Sequence, residues 1–315
     1  MMKILINTSG MSKDDIDFSG FEKLGSTKYF GEVSKTELYA LAADCDAIIV
    51  NKVIIDEAFL DACSNIKYVG VFASGYNVVD VAACRARGVT VCNVPGYSTH
   101  SVSQHVFALL LCFFGKTDKY INSVANGDWI KSKSFCYFPW NTAELYGKTF
   151  GILGYGSIGK AVARIADAFG MKVIVNTRTT PDNCGYRVVD RETLFRQSDI
   201  LSLHCPLTEQ TKNIVNAKTL SLMKQSAVII NTARGGLIDE AALADALNFG
   251  KIAGACLDTV AEEPMLADNP LLGAKNCIIT PHIGWAPRET RERLLKIALQ
   301  NLKSFIDGAP QNVVS

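Results

Sequence analysis

A chain of 315 residues is long for a single core and points to one large or two moderate domains. Its 48% hydrophobic and 20% charged content is ordinary for a soluble globular protein. Lys plus Arg number 32 against 31 Asp plus Glu, a balance that argues against a dedicated nucleic-acid or anionic-membrane binder.

The opening "MMKILINTSG" reads as a strand, without the apolar region and cleavage site of a secretory signal. The longest apolar run, Val106 to Phe114, is nine residues, too short for a bilayer span of about 20. The ten cysteines never form C-x-x-C and sit in apolar contexts such as "LLLCFF" and "GACLD". Reduced core thiols in a cytoplasmic protein are expected, with no membrane span, disulfide framework or bound metal.

Along the first third, short β-rich runs ("KILIN", "AIIV", "KYVGVFA", "VTVCNV") alternate with helical segments near Lys35–Ala43, Asp56–Cys63 and Val79–Arg87. That alternation is the signature of a parallel sheet with crossover helices. Pro95 and Gly96 then break the pattern. Thr99 to Phe114 reads as a long helix, apolar on most faces and buried between layers or domains. The aromatic stretch "GDWIKSKSFCYFPWN", Gly127 to Asn141, exceeds a simple connection; such loops tend to bind or to pack against a partner. A second α/β series comes next: "TFGILGYG", "KVIVNT", "DILSLHCP", "SAVIINTA", "AGACLDT" and "NCIITPH". The last helix, Pro287 to Asp307, starts with Pro and stops at Gly308.

"GYGSIG", Gly154 to Gly159, closes a strand and opens a helix, the context in which G-x-G-x-x-G acts as a dinucleotide fingerprint. Gly154 permits the tight turn, Gly156 lets backbone approach a pyrophosphate, and Gly159 allows close helix–strand packing. The pyrophosphate would accept hydrogen bonds from the amides of Ser157 and Ile158. At the end of the next strand, 22 residues after Gly154, stands Asn176, where an acid would bind the adenosine ribose 2′-OH. Asn does not repel a 2′-phosphate, and Arg178 is placed to pair with one, so NADP(H) is favoured over NAD(H). The plainer alternative has Arg178 in solvent and Asn176 on a ribose hydroxyl.

Ligands of open parallel sheets lie at the carboxyl ends of strands. The polar residues there are His204, Thr232, Arg234, Asp258 and His282. A proton-transfer group near neutral pH is most naturally His, and spacing does not choose between His204 and His282. His100 and His105, on the apolar helix, read as structural. Arg234 offers a two-donor fork to a substrate carboxylate, against the alternative of an interdomain ion pair. "AEEP", Ala261 to Pro264, supplies two loop carboxylates.

With these residues in hand, the chain resembles the D-isomer-specific 2-hydroxyacid dehydrogenases, in particular their glycerate dehydrogenase/hydroxypyruvate reductase branch. The likeness is carried by "ASGYNVVD", "VPGYSTHSVSQHVFALLL", "GKTFGILGYGSIGKAVARIADAFGMKV", "LHCPLT", "NTARGGLIDEAAL", "LDTVAEEP" and "PHIGWAPRE". It implies two doubly wound parallel-sheet domains with the active site in their cleft. A Rossmann cofactor domain, residues 99–286, would be inserted into a flavodoxin-like substrate domain, residues 1–98 with 287–315.

The resemblance also makes His282 the acid/base, Glu263 (immediately before Pro) its partner and Arg234 the substrate arginine. The substrate carboxylate would meet backbone amides near Ser74 and Gly75. Cofactor contacts carry over to Ser157, Ile158, Asn176, Pro206, Thr211, Thr232, Asp258 and His282, with His204 on the cofactor side. A small 2-keto acid such as hydroxypyruvate or glyoxylate is the implied substrate, capped by Trp285, and NAD(P) the cofactor. A homodimer using the Trp129–Trp140 segment is implied as well. Two departures stand out: Asn176, where many relatives carry Asp, and Gln104, where many carry Glu. Among alternatives, 3-phosphoglycerate would need a basic cluster near "ASGY" or "PHIGW", which is not seen. A nucleotide-sensing corepressor would not need Arg234, Glu263 and His282 together.

Overall fold

The computed structural model describes residues 1–11, 15–179 and 184–315. They form two compact units, Met1–Ser98 with Ala286–Ser315, and Thr99–Trp285.

The first unit is built on five parallel strands: β1 (Lys3–Asn7), β2 (Ser26–Phe30), β3 (Ala47–Val50), β4 (Tyr68–Val71) and β5 (Thr90–Cys92). Their order, β2-β1-β3-β4-β5, is the flavodoxin-like one. Successive side chains on a strand point to opposite faces. One face (Leu5, Ile48, Val50, Val69, Val71, Val91) packs on the crossover helices with Phe59 and Leu60. On the other side the C-terminal helix Arg288–Ile306 lies over β4, with Phe305 5.0 Å from the Tyr68 ring. Helix starts match the capping residues: Ser34, in a capping box with Glu37, and Asp56 and Asp80 each accept from a first-turn amide.

The second unit has seven parallel strands: β6 (Thr149–Leu153), β7 (Lys172–Asn176), β8 (Arg187–Val188), β9 (Ile200–Leu203), β10 (Val228–Asn231), β11 (Gly254–Leu257) and β12 (Cys277–Ile279). The order β12-β11-β10-β9-β6-β7-β8 reverses at β6/β9, as in a dinucleotide-binding sheet. Alternation sorts the strand residues onto two covered faces. Phe150, Ile152, Val173, Val175, Ile200, Val228, Ile230 and Cys256 face one core. Leu153, Ile174, Leu201, Leu203, Ile229, Ala255 and Leu257 face the other. Burial on both faces explains why these strands read as continuous apolar runs.

Several elements differ from the sequence reading. β2 was not expected: its pattern is half exposed, as befits an edge strand, and "STKYF" lacks an apolar run. β8, the opposite sheet's edge, is two exposed residues. Short helix Ser19–Glu22 and helix Thr117–Ala125 were not expected either; the latter is separated from the long helix by Lys116 in a left-handed conformation, φ +51°. The long helix, Thr99–Gly115, is not buried on all sides, since Gln104, Ala108 and Leu111 form an exposed stripe. Pro287 is the N-cap of the last helix, not its first residue. No helix of the described residues is long and apolar enough to cross a membrane.

Candidate active site

The glycine turn sits where the second sheet reverses. Gly154 has φ +97°, and a Cβ there would lie 2.6 Å from the Cys205 nitrogen at the end of β9. Its amide donates to the Asn176 carbonyl at 2.8 Å, tying the turn to β7. A Cβ on Gly159 would stand 2.3 Å from the Gly154 carbonyl, so the helix can approach the turn only with glycine there. Around Gly156 the space is open. Helix Ser157–Ala168 begins at Gly156 with no side-chain cap, whereas the helices after Asp190, Asn216 and Asp239 are capped. Its free first-turn amides and open approach form a cradle for an anion.

Around that cradle, Asn176 Nδ2 donates to the Val189 carbonyl at 2.8 Å. Its Oδ1 is left to accept a hydroxyl. Arg178 is exposed just beyond. His204 keeps some surface exposed, yet burial of its imidazole lowers the pKa to about 4, so the ring is neutral at physiological pH. It shares a 2.8 Å hydrogen bond with Ser202. Such a ring suits neutral contact rather than proton exchange, a distinction spacing could not make. Thr211 Oγ1 donates to the Pro206 carbonyl at 2.7 Å, closing the loop after β9. The Thr232 hydroxyl, after β10, is buried with no partner among the described residues. A buried hydroxyl left unpaired is costly, and a bound polar ligand would satisfy it. The residues therefore fit a dinucleotide.

Arg234 comes after β10 in extended conformation, with Nη1 donating to its neighbour's carbonyl, Ala233 O, at 2.7 Å. Among the described residues of this unit no carboxylate pairs with it. Next to it, a Cβ on Gly235 would come within 1.9 Å of the Val260 carbonyl carbon. Glycine here lets the arginine loop abut the backbone leading to Glu263. Glu240, at the start of helix Glu240–Asn248, strengthens that join. Its Oε1 accepts from the Ala261 amide at 2.7 Å and its Oε2 from Asn269 Nδ2 at 2.9 Å. Glu240 carries no sequence signal of this role, because an acid in a helix's first turn is ordinary.

His282 Nδ1 donates to Glu263 Oε2 at 2.8 Å, both side chains about a quarter exposed. His282 holds φ +55°, a conformation that is uncommon outside glycine. Asp258, buried beneath it, shows how that backbone is held. Oδ1 accepts from Thr280 Oγ1 (2.6 Å), the Ile283 amide (2.9 Å) and His105 Nε2 (3.2 Å), and Oδ2 from the Gly284 amide (2.8 Å). His105 is thus a satisfied structural histidine, and the Asp258 carboxylate is committed to protein donors. Thr280, the first polar residue after β12, carries the same strand-end signal as His282, and only the fold shows its part.

Burial pushes the Asp258 carboxyl up, but the bonds from His105, Thr280 and the two amides outweigh it and hold the pKa below the usual value. A carboxyl lowered on folding contributes stability above its unfolded pKa, about 3.9, and loses it as pH falls through the folded value. Asp258→Asn turns one acceptor into a donor facing a main-chain N–H and should cost about 2 kcal/mol near neutrality. The gap from wild type should narrow below about pH 4. Urea melts at pH 7 and pH 3 measure this; equal gaps would count against a charged, fully bonded Asp258.

In the first unit, the loop after β4 holds Ser74 and Gly75, whose amides donate to no group among the described residues. Two free, adjacent amides suit a carboxylate.

Comparison with known proteins agrees with this architecture. Residues 107–284 match the model of the D-isomer specific 2-hydroxyacid dehydrogenase NAD binding domain. A hydroxypyruvate reductase of Blautia hydrogenotrophica is 43% identical, with all of both chains covered. A glycerate dehydrogenase of Methylorubrum extorquens is 44% identical over 84% of each chain. Among solved structures, an acyclic imino acid reductase in complex with NADPH and D-Arg superimposes with a TM-score of 0.89 at 33% identity over all of both chains. The chain belongs to the D-isomer specific 2-hydroxyacid dehydrogenase family.

Proposed function

We propose that this enzyme reduces a small 2-keto acid, hydroxypyruvate or glyoxylate, to the D-2-hydroxy acid, using NADPH in preference to NADH. The observation that carries the reading is the His282–Glu263 pair, 2.8 Å apart, in the same unit as the dinucleotide cradle and an Arg234 without an acidic partner among the described residues. The name of the Blautia relative supports hydroxypyruvate. A bound nicotinamide would supply the hydride; the rest of the chemistry falls to the protein.

Ser157 and Ile158 hold the pyrophosphate through their amides, with Gly154, Gly156 and Gly159 shaping the cradle. Asn176 Oδ1 accepts from a ribose hydroxyl, and Arg178 meets the 2′-phosphate. His204, Pro206, Thr211, Thr232 and the backbone around Asp258 and His282 complete the cofactor's surroundings. In the first unit the amides of Ser74 and Gly75 bind the substrate carboxylate; in the second, Arg234 offers its donors to the acid and steadies the charge that grows on the carbonyl oxygen. Glu263 accepts from Nδ1 and fixes the His282 ring, so that the opposite nitrogen, Nε2, delivers the proton.

The test is kcat/KM for NADPH and NADH, each with hydroxypyruvate and glyoxylate. Preference for NADPH by tenfold or more, about 1.4 kcal/mol, is expected. A preference for NADH would put Arg178 in solvent and overturn the cofactor assignment alone. Absence of turnover with either acid would sink the substrate assignment.

We also assign a homodimer to the second unit's aromatic surface. Phe135 and Phe138 are 89% and 81% exposed, and Ile130 is 88% exposed, beside Ile121 and Trp129. The segment is internally tied, Tyr120 OH donating to the Trp140 carbonyl at 3.1 Å. An ordered apolar patch of this kind marks an interface. Sedimentation equilibrium at micromolar concentration should give twice the 34.2 kDa chain mass, and Phe135→Asp with Phe138→Asp should halve it. A monomeric wild type would dispose of the assignment.

A further inference from the structure

The two amides assigned to the substrate carboxylate belong to the peptide units Ala73–Ser74 and Ser74–Gly75. A trans peptide is planar, with its C=O and N–H pointing to opposite sides. Whatever holds the carbonyl therefore aims the amide. Both units are trans, and consecutive residues hold both carbonyls. The Val94 amide donates to Ala73 O at 2.9 Å, and Asn93 Nδ2 donates to Ser74 O at 2.7 Å. Ser74 Oγ adds a third tie, to Val94 O at 3.0 Å. Val94 acts through its main chain, which most residues at that position would supply. The tie that aims the Gly75 amide depends on a side chain.

Asn93 is itself held from two directions. Its amide donates to Asn312 O at 3.2 Å, and its carbonyl accepts from Asn301 Nδ2 at 2.8 Å. Asn301 is buried in the C-terminal helix, and its Oδ1 accepts from Asn312 Nδ2 at 2.8 Å, so both ends of a costly buried amide are used. The chain end runs beside β5: Val313 bridges Cys92 in antiparallel sense, and Val314 donates to Val91 O at 2.8 Å. The tail thereby fixes Asn312, which with Asn301 fixes Asn93.

We propose that Asn93 is a positioning residue for the substrate carboxylate, aiming the Gly75 amide through the Ser74 carbonyl, with Asn301 and Asn312 as its support. The role rests on the proposed binding of that carboxylate by Ser74 and Gly75. Asn93 touches no reacting atom in this role. Its loss acts on binding of the acid, not on hydride or proton transfer, and a merely structural role would not make that split.

The experiment compares wild type with Asn93→Ala, Asn93→Asp and Asn312→Gly, the glycine chosen because Asn312 has φ +53°. Substrates are glyoxylate and its neutral methyl ester, with NADPH affinity read by fluorescence. Asn93→Ala should raise KM for glyoxylate about tenfold with kcat within about threefold, NADPH affinity unchanged, and the ester unaffected. Asn93→Asp should raise it further, since a carboxylate cannot donate to the Ser74 carbonyl and repels the bound anion. Asn312→Gly, remote from the loop, should show a smaller rise in the same sense and carries the test should the Asn93 variants not fold. If wild type handles acid and ester alike, the carboxylate assignment to Ser74 and Gly75 falls. If wild type prefers the acid and the variants keep that preference in full, the assignment stands and the positioning role of Asn93 is overturned.

Discussion

Replacing His282 with Ala should lower kcat for keto-acid reduction by about 10²- to 10⁴-fold, the usual contribution of a positioned general acid. Cofactor affinity should stay near wild type. The expectation comes from geometry. Nδ1 is engaged with Glu263 at 2.8 Å, so the ring can turn neither nitrogen away, and Nε2 has no hydrogen-bond partner among the described residues. Glu263→Gln separates the parts of the pair: it keeps an oxygen for Nδ1–H and removes the negative charge. It should fall between wild type and His282→Ala. Single-turnover rates with saturating NADPH measure both. Activity of His282→Ala within about tenfold of wild type would show that the proton comes from elsewhere.

The pair also shows what the sequence could and could not disclose. His204 and His282 both come after strands, and nothing in spacing separates them. The resemblance chose His282, and the three-dimensional environment gives a physical reason. The His204 imidazole has no charged partner among the described residues and burial lowers its pKa to about 4, whereas His282 meets a carboxylate. The strands were legible for a related reason. Those covered on both faces, such as β9 and β10, are unbroken apolar runs, while β2 and β8 lie at sheet edges, where exposure removes the pattern. The glycine turn was legible because Gly154 and Gly159 answer local demands of backbone geometry, while Gly156 keeps the approach open.

Support of the site was not legible, because it is assembled from distant residues. Asp258 gathers donors from positions 105, 280, 283 and 284, and only the fold brings the helix residue to the strand ends. Glu240 looks like an ordinary first-turn acid until its bonds to Ala261 and Asn269 are seen. A common logic runs through both. The loops bearing Arg234, Glu263 and His282 each leave a parallel strand, and polar side chains elsewhere pin their backbones: Asn231 at Ala233 and Arg234, Glu240 at Ala261, and Asp258 at Ile283 and Gly284. Asp258 explains how His282 keeps a left-handed backbone conformation without glycine, since the next two amides are both held by one carboxylate.

Arg234 has the largest expected effect after His282. Arg234→Ala should lower kcat/KM for hydroxypyruvate by about 10³-fold, or about 4 kcal/mol. It removes a donor to the charge developing on the carbonyl oxygen, which alone is worth about 10²- to 10³-fold in comparable sites, together with a carboxylate contact. Arg234→Lys should recover less than about tenfold of that loss. The guanidinium spends one N–H on the Ala233 carbonyl at 2.7 Å and still presents a planar set of donors. An ammonium that keeps the same bond has no parallel pair left to offer, and one that gives it up loses its orientation. Because no acid neutralises Arg234 among the described residues, neither substitution strands a buried carboxylate in this unit, and melting temperature should move little. The measurement is kcat/KM at saturating cofactor, paired with NADPH affinity, which should not change. Recovery by Lys to within about threefold of wild type would mean that a point charge suffices, and the two-donor role of the guanidinium would have to be abandoned.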